Sequence, residues 1–173
     1  RQRPLAMPGA LASAPFRGFI PEEVGVSVSD THAFVLGGHG DTLVPLSRYS
    51  PVAGVPITEL LTADRVKALE ERTANGGAEV VALLKTGSAY YAPSAAAARL
   101  AKAVIEDSGE KIPVCAWVDG EYGIRGVYPG VEAEIGAGGV KRAVEGEPTD
   151  PQPAGSEAAA EPGRARQADA AQP

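Results

Sequence analysis

Apolar residues fall at helical spacing over residues 9–24, where Leu11, Phe16, Phe19 and Ile20 share one face. Pro15 sits inside that pattern, and an interior proline removes a backbone hydrogen bond, so a helix that starts late, kinks or is weakened is predicted. Residues 26–36 read as a strand with a bend near Asp30, and residues 43–52 as a second strand interrupted by polar positions. Residues 51–56 read as a turn and residues 57–61 as one helical turn. The longest helical pattern is 64–86, with Val66, Leu69, Val80, Leu83 and Leu84 as its buried face. Gly76-Gly77 predicts a kink or break inside it. Residues 93–107 are alanine-rich and strongly helical, with Leu100, Val104 and Ile105 inward and Ser108-Gly109 as the stop. Three short strand signals follow at 112–118, 123–128 and 131–135, the last two joined through Tyr128-Pro129-Gly130. Long helices with antiparallel strand signals predict an α+β domain, its helices packed on a twisted antiparallel sheet.

Composition sets the borders. From Pro148 to Pro173 there is no Val, Leu, Ile, Met or aromatic residue, so 148–173 is expected to be a disordered Pro/Ala-rich tail. Residues 1–8 are expected to be loosely held, which leaves 9–147 as the folded domain. Members with a net charge of −6 are poor candidates for a nucleic-acid surface. No apolar run approaches the ~18 residues needed to span a bilayer, and no secretory signal is read. With Cys115 as the only cysteine, an internal disulfide is impossible and a reducing cytoplasm is the expected compartment. Residue 1 is Arg rather than Met, so a piece of a longer product is expected.

The chemistry concentrates in Gly37-Gly38-His39-Gly40-Asp41. Three glycines around one imidazole leave a loop that a ligand can approach closely. A histidine there can exchange a proton near neutral pH, since its unperturbed pKa is ~6.5. Asp41 lies two residues on, which is poor geometry for orienting the ring, and a loop-stabilising role is expected. His32 is expected to be solvated, and Glu70-Glu71-Arg72 to form a solvated helix face. The run Gly136-Ala137-Gly138-Gly139 follows a hairpin and lacks the βαβ context of a dinucleotide loop, so it is read as a tight turn into a helix near Val140.

Several runs together resemble one family. They are Val35-Leu36-Gly37-Gly38-His39-Gly40-Asp41, Val44-Pro45-Leu46, Leu84-Lys85-Thr86-Gly87-Ser88-Ala89-Tyr90-Tyr91-Ala92-Pro93, Pro113-Val114, and Ile135-Gly136-Ala137-Gly138-Gly139-Val140. Over about 9–145 the chain resembles the C-terminal substrate domain of the lactate and malate dehydrogenases, in particular the bacterial malate dehydrogenases of lactate-dehydrogenase-like type. That resemblance implies an α+β substrate domain following a Rossmann NAD-binding domain, which this sequence lacks. It implies NAD as cofactor and malate and oxaloacetate as substrates. It also implies a homo-oligomer, dimer or tetramer. His39 matches the residue that exchanges the substrate hydroxyl proton. Ser88 and Ala89 match residues along the substrate pocket, and Pro93 one near the nicotinamide; as a helix start packing on the core, they have an equally good structural reading.

Two matches fail at functional positions. The family carries Leu-Asp-x-x-Arg where this chain has Leu11-Ala12-Ser13-Ala14-Pro15. The aspartate that orients and charges the histidine is Ala12, and the arginine that forks the substrate carboxylate is Pro15. Arg17 matches a further family arginine that faces a neighbouring subunit or structure. Three readings result: a malate dehydrogenase substrate domain that is inactive alone, a non-enzymatic remnant that folds or pairs with subunits, and a lactate-type 2-hydroxy acid dehydrogenase. A hydrolase of the NAD-dependent glycosidase family shares the architecture, but it needs metal ligands for which Cys115 and His32 are badly placed. No metal is expected.

Overall fold

The computed structural model describes residues 5–37, 43–123 and 125–145. A long first helix, α1 (Pro8–Val24), leads through a 3-10 turn at Val28–Asp30 into a two-stranded hairpin, β1 (Val35–Gly37) and β2 (Leu43–Pro45). A second 3-10 turn at Ser47–Tyr49 precedes a small hairpin, β3 (Pro51–Val52) and β4 (Val55–Pro56). Three helices follow: α2 (Ile57–Leu60), α3 (Ala63–Leu84) and α4 (Tyr91–Ile105). The chain closes with β5 (Lys111–Cys115), the β6 (Val118–Asp119) and β7 (Arg125–Val127) pair, β8 (Gly130–Gly136) and β9 (Gly139–Ala143). The main sheet has the order β5-β8-β9, and every strand pair among the described residues is antiparallel. The expected α+β class holds.

Two apolar clusters hold the fold. In one, Ala96, Leu100 and Ala103 of α4 pack on Ile112, Val114, Val131, Ala133 and Ile135 of the sheet. In the other, Phe16 and Ile20 of α1 meet Val35, Val52, Ile57 and Leu69. Burying such side chains stabilises by about 1.5–3 kcal/mol each. Leu100 points inward as expected, but Ile105 is 82% exposed and Ala103 takes the inward place instead.

Several expectations are corrected. Helix α1 starts early rather than late, because Pro8 occupies its first turn, where a missing N–H costs nothing. Pro15 and Pro21 lie inside it without ending it. Residues 26–36 are not one strand: Ser27 caps a 3-10 turn, and extended pairing begins only at Val35. Residues 43–52 divide in the same way around Ser47–Tyr49. Helix α3 runs unbroken through Gly76-Gly77. Gly76 is a contact surface: a Cβ there would lie 3.5 Å from Pro15 Cβ and 3.8 Å from Phe19 Cε2. Ala137-Gly138 make the turn of the β8–β9 hairpin, so the glycine run leads into a strand and not a helix. Residues 5–8 are tied down, since Ala6 N–H donates to Cys115 O at 3.0 Å and Cys115 N–H to Ala6 O at 2.8 Å. The expected tail, 148–173, lies outside the described residues.

Candidate active site

Helix α1 and the β1–β2 hairpin carry the candidate site. The hairpin pairs Val35 with Pro45, Leu36 with Val44 and Gly37 with Leu43, which fixes both ends of the 38–42 segment. His39 and Asp41 lie outside the described residues. Gly37, the last residue of β1, has φ 97°, a left-handed conformation open to glycine at little cost. It is buried.

Helix α1 grips β1 through Ser13. The Ser13 hydroxyl accepts from Val35 N–H at 3.0 Å and donates to Gly9 O at 2.7 Å. Gly9 itself is pressed between strands, since a Cβ there would come 2.8 Å from both Val35 O and Pro113 Cβ. Ala12, beside Ser13, is buried among Phe16, Ile20 and Val35. Its methyl group adds apolar contact and offers no acceptor to an imidazole. Pro15 is half-buried against Gly76 of α3 and presents no donor. Arg17 is occupied elsewhere: its Nε donates to Thr31 O at 2.8 Å and Nη2 to Val28 O at 3.1 Å, holding the first 3-10 turn. It is a structural arginine.

Ser88 and Ala89 lie in the connection between α3 and α4, where Lys85 (φ 61°) and Gly87 (φ 96°) turn the chain sharply. Ser88 is exposed, and Ala89 is half-buried. Pro93 sits in the first turn of α4, half-buried, where proline is tolerated. Contacts bring Ala12 and Pro15 to β1 and α3; Ser88, Ala89 and Pro93 form a separate group at the far end of α3.

Other candidates resolve into structure. His32 is exposed, and its backbone N–H donates to Pro51 O at 2.9 Å. The face at 70–72 is solvated at Glu71 and Arg72, as expected, and half-buried only at Glu70. Glu70 accepts from Ser47 Oγ at 2.5 Å, while Arg72 reaches Glu22 at 3.0 Å and Glu79 at 3.1 Å and lies 3.8 Å above the Phe19 ring. The Arg72 hydrogen bond holds the Glu79 carboxyl below the usual carboxylate range. Sequence periodicity missed this clasp because it joins helices far apart in the chain. Between α1 and α3 it leaves a cleft of about 360 Å³ lined by Phe19, Glu22, Glu23, Arg65 and Arg72, and both arginines in it are already paired with glutamates. Cys115 is mostly buried, and burial pushes its thiol up to about 11. Among the described residues, no three His, Cys, Asp or Glu side chains gather into a metal cluster. No described helix is long and apolar enough to cross a membrane. A dinucleotide cradle needs a parallel strand feeding a helix N-terminus. The described strands pair only antiparallel, so these residues do not fit NAD by themselves.

Comparison with known proteins places the chain. The family model described as lactate/malate dehydrogenase, alpha/beta C-terminal domain, matches residues 10–153. A malate dehydrogenase of Roseobacter denitrificans is 53% identical over 144 residues, 80% of this chain and 45% of that protein. One of Xanthobacter autotrophicus is 51% identical over 149 residues, 83% of this chain and 46% of that protein. The malate dehydrogenase structure from Salinibacter ruber superposes with a TM-score of 0.89 at 41% identity, covering 95% of this chain and 54% of that one. A lactate dehydrogenase from Eimeria maxima, solved with NADH and oxamate, gives 0.86 at 28% identity, covering 94% of this chain and 52% of that one. The chain therefore spans about half the length of the curated relatives it matches. It belongs to the lactate/malate dehydrogenase family, and its described residues form that family's α/β C-terminal domain.

Proposed function

We propose that this chain is the substrate half of an NAD-dependent malate dehydrogenase whose site has lost two working side chains, so that the 173-residue chain alone does not turn over. The identity above 50% to proteins named malate dehydrogenase carries the choice of malate and oxaloacetate over lactate. His39 is the proton-exchanging group: as imidazolium it polarises the ketone of oxaloacetate, and as imidazole it takes the hydroxyl proton of malate. Ser88 and Ala89 line the substrate, and Pro93 stands on the cofactor side. NAD would supply the hydride acceptor, held by residues other than those described here. A cytoplasmic homo-oligomer, dimer or tetramer, is the expected working form.

The burial of Ala12 among Phe16, Ile20 and Val35 supports the loss of activity. Nothing at that position can hold the His39 tautomer or stabilise its cation. Pro15 forfeits two charge-assisted hydrogen bonds to a carboxylate, about 1.5–3 kcal/mol each. The same observation favours a second reading, a remnant that folds and pairs without turnover. Incubating the purified 173-residue chain with L-malate and NAD and following NADH absorbance tests the proposal. No NADH above background is expected; steady NADH formation would overturn it.

A further inference from the structure

The tip between β6 and β7, Glu121-Tyr122-Gly123, reaches the far end of β9. Tyr122 adopts φ 54° and ψ 19°, left-handed backbone in which a bulky side chain is an outlier. Two contacts hold it there. Tyr122 N–H donates to Glu145 Oε1 at 2.6 Å, and Tyr122 OH donates to Val144 O. The ring is half-buried against the apolar cluster shared by α4 and the main sheet. Burial first, and then the charges of Glu132, Glu145 and Glu121, push the phenol up to about 12, so the hydroxyl keeps the proton it donates. The end of β9 needs such a hold. It is an outer strand of the order β5-β8-β9, and its ladder with β8 is already irregular at Glu134/Ile135. Past Ala143, Val144 N–H still donates to Glu132 O at 2.8 Å.

We propose that the β6–β7 tip is a strap: Tyr122 closes over Val144 and Glu145 as one two-state latch, and its release frees the end of β9 while the rest of the sheet stays shut. Residues 146–173 continue from that end, so the latch sets where they leave the domain. A strained residue persists only where its surroundings over-determine it. Here the hydroxyl anchors the ring and the N–H anchors the backbone. Loss of either anchor lets Tyr122 relax towards right-handed backbone, which turns its N–H from Glu145 and carries its ring from Val144. The two bonds therefore act together and not as independent contacts. The remainder of the sheet does not draw on the strap. Strand β5 pairs with β8 from Lys111↔Glu134 to Cys115↔Gly130, and Ile135 N–H donates to Glu110 O at 2.9 Å. Opening at the strap is thus a local event, of the kind that amide exchange resolves from global unfolding.

The test is amide hydrogen exchange on the full 173-residue chain, read residue by residue by NMR. Tyr122→Phe removes only the hydroxyl, and Glu145→Ala removes only the acceptor of the Tyr122 N–H. Each is expected to speed exchange of the Val144 amide about 3–10-fold and to leave the Ile135 amide unchanged. The double variant is expected to exchange no more than about twice as fast as either single one, because the first loss has already opened the latch. Arg142→Ala serves as the contrast. It breaks the Arg142–Glu134 pair, 2.9 Å long, inside the β8–β9 ladder and leaves both anchors in place, so its effect is expected to multiply with that of Tyr122→Phe. Glu145 is exposed, so its variant keeps the Val144 and Ile135 comparison available if Tyr122→Phe does not fold. Multiplying effects of Tyr122→Phe and Glu145→Ala would overturn the proposal. A Val144 amide unmoved by either variant would do the same, as would an Ile135 amide speeded equally.

Discussion

The sheet half and the α3 half of this molecule follow the same rule of apolar spacing and end differently. In the sheet half, Ile112, Val114, Val131, Ala133 and Ile135 are each at most 1% exposed, closed by α4 and by one another. In α3 the stripe begins the same way, with Val66 at 8% and Leu69 at 5%, continues through Thr73 and Gly76, and then comes into the open. Val80 is 44% exposed, Leu83 76% and Leu84 43%. Tyr90 and Tyr91, stacked at 4.7 Å just beyond, are exposed as well. Periodicity tells which face of a helix is apolar, but not whether anything covers it. The uncovered part adjoins Ser88 and Ala89, so the least finished surface lies beside the candidate substrate residues.

The largest effect expected separates the covered from the uncovered apolar positions. Phe16→Ala, at the α1–α3 seam and fully buried, should cost about 3–5 kcal/mol, a large share of the 5–15 kcal/mol typical of a domain. Leu83→Ala should stay within about 0.5 kcal/mol. Urea unfolding of both variants checks the pair, and equal losses would mean that the end of α3 is covered. Next comes pH at the junction of the two halves. The folded Cys115 thiol is pushed up to about 11 by burial, above its ordinary value of 9.0. The folded state then holds a proton that the unfolded chain releases first. Stability is full below about pH 9 and falls as pH rises towards 11, by at most about 2–3 kcal/mol. Cys115→Ala should flatten that part of the stability–pH curve.

Smaller effects probe the α3 helix itself. Gly76→Leu should cost about 1–3 kcal/mol by overpacking Pro15 and Phe19. Gly77→Ala meets open space and should stabilise by up to about 1 kcal/mol through helix propensity. Thermal midpoints moving in opposite directions for these neighbouring residues would confirm that α3 is one continuous helix with a single seated side. A fall for both would reinstate a break at Gly76-Gly77.

Helix α4 and strands β5 and β8 were legible because each keeps one period throughout. The strand read over 112–118 ends at Cys115 and resumes as β6, which pairs with β7, so β7 and β8 follow one another without pairing. The misread elements depended on distant partners. Gly76-Gly77 looked like a breaker because the sequence does not show Pro15 and Phe19 lying against it. Val80 and Leu83 looked buried because their spacing continues that of Val66 and Leu69. Residues 26–36 looked extended because Val26, Val28 and Val35 are β-branched, yet Ser27 caps a 3-10 turn and Arg17 holds it. At the candidate site, the proposed replacement of two family residues by Ala12 and Pro15 rests on position in the sequence alone. The support of Gly37 by Gly130 was not legible, since a close approach of two backbones 93 residues apart leaves no local pattern.

The central claim is that this domain keeps the family scaffold while Ala12 and Pro15 disable its chemistry. The most direct measurement joins the chain to the N-terminal half of the Roseobacter denitrificans relative and compares kcat/KM for L-malate with and without Ala12→Asp and Pro15→Arg. Loss of a comparable orienting aspartate in a serine protease costs ~10⁴ in rate, which sets the scale. The unmodified fusion should stay near background, and the doubly restored one should rise by at least about 10³-fold. An unmodified fusion that turns over within tenfold of the restored one would contradict the account.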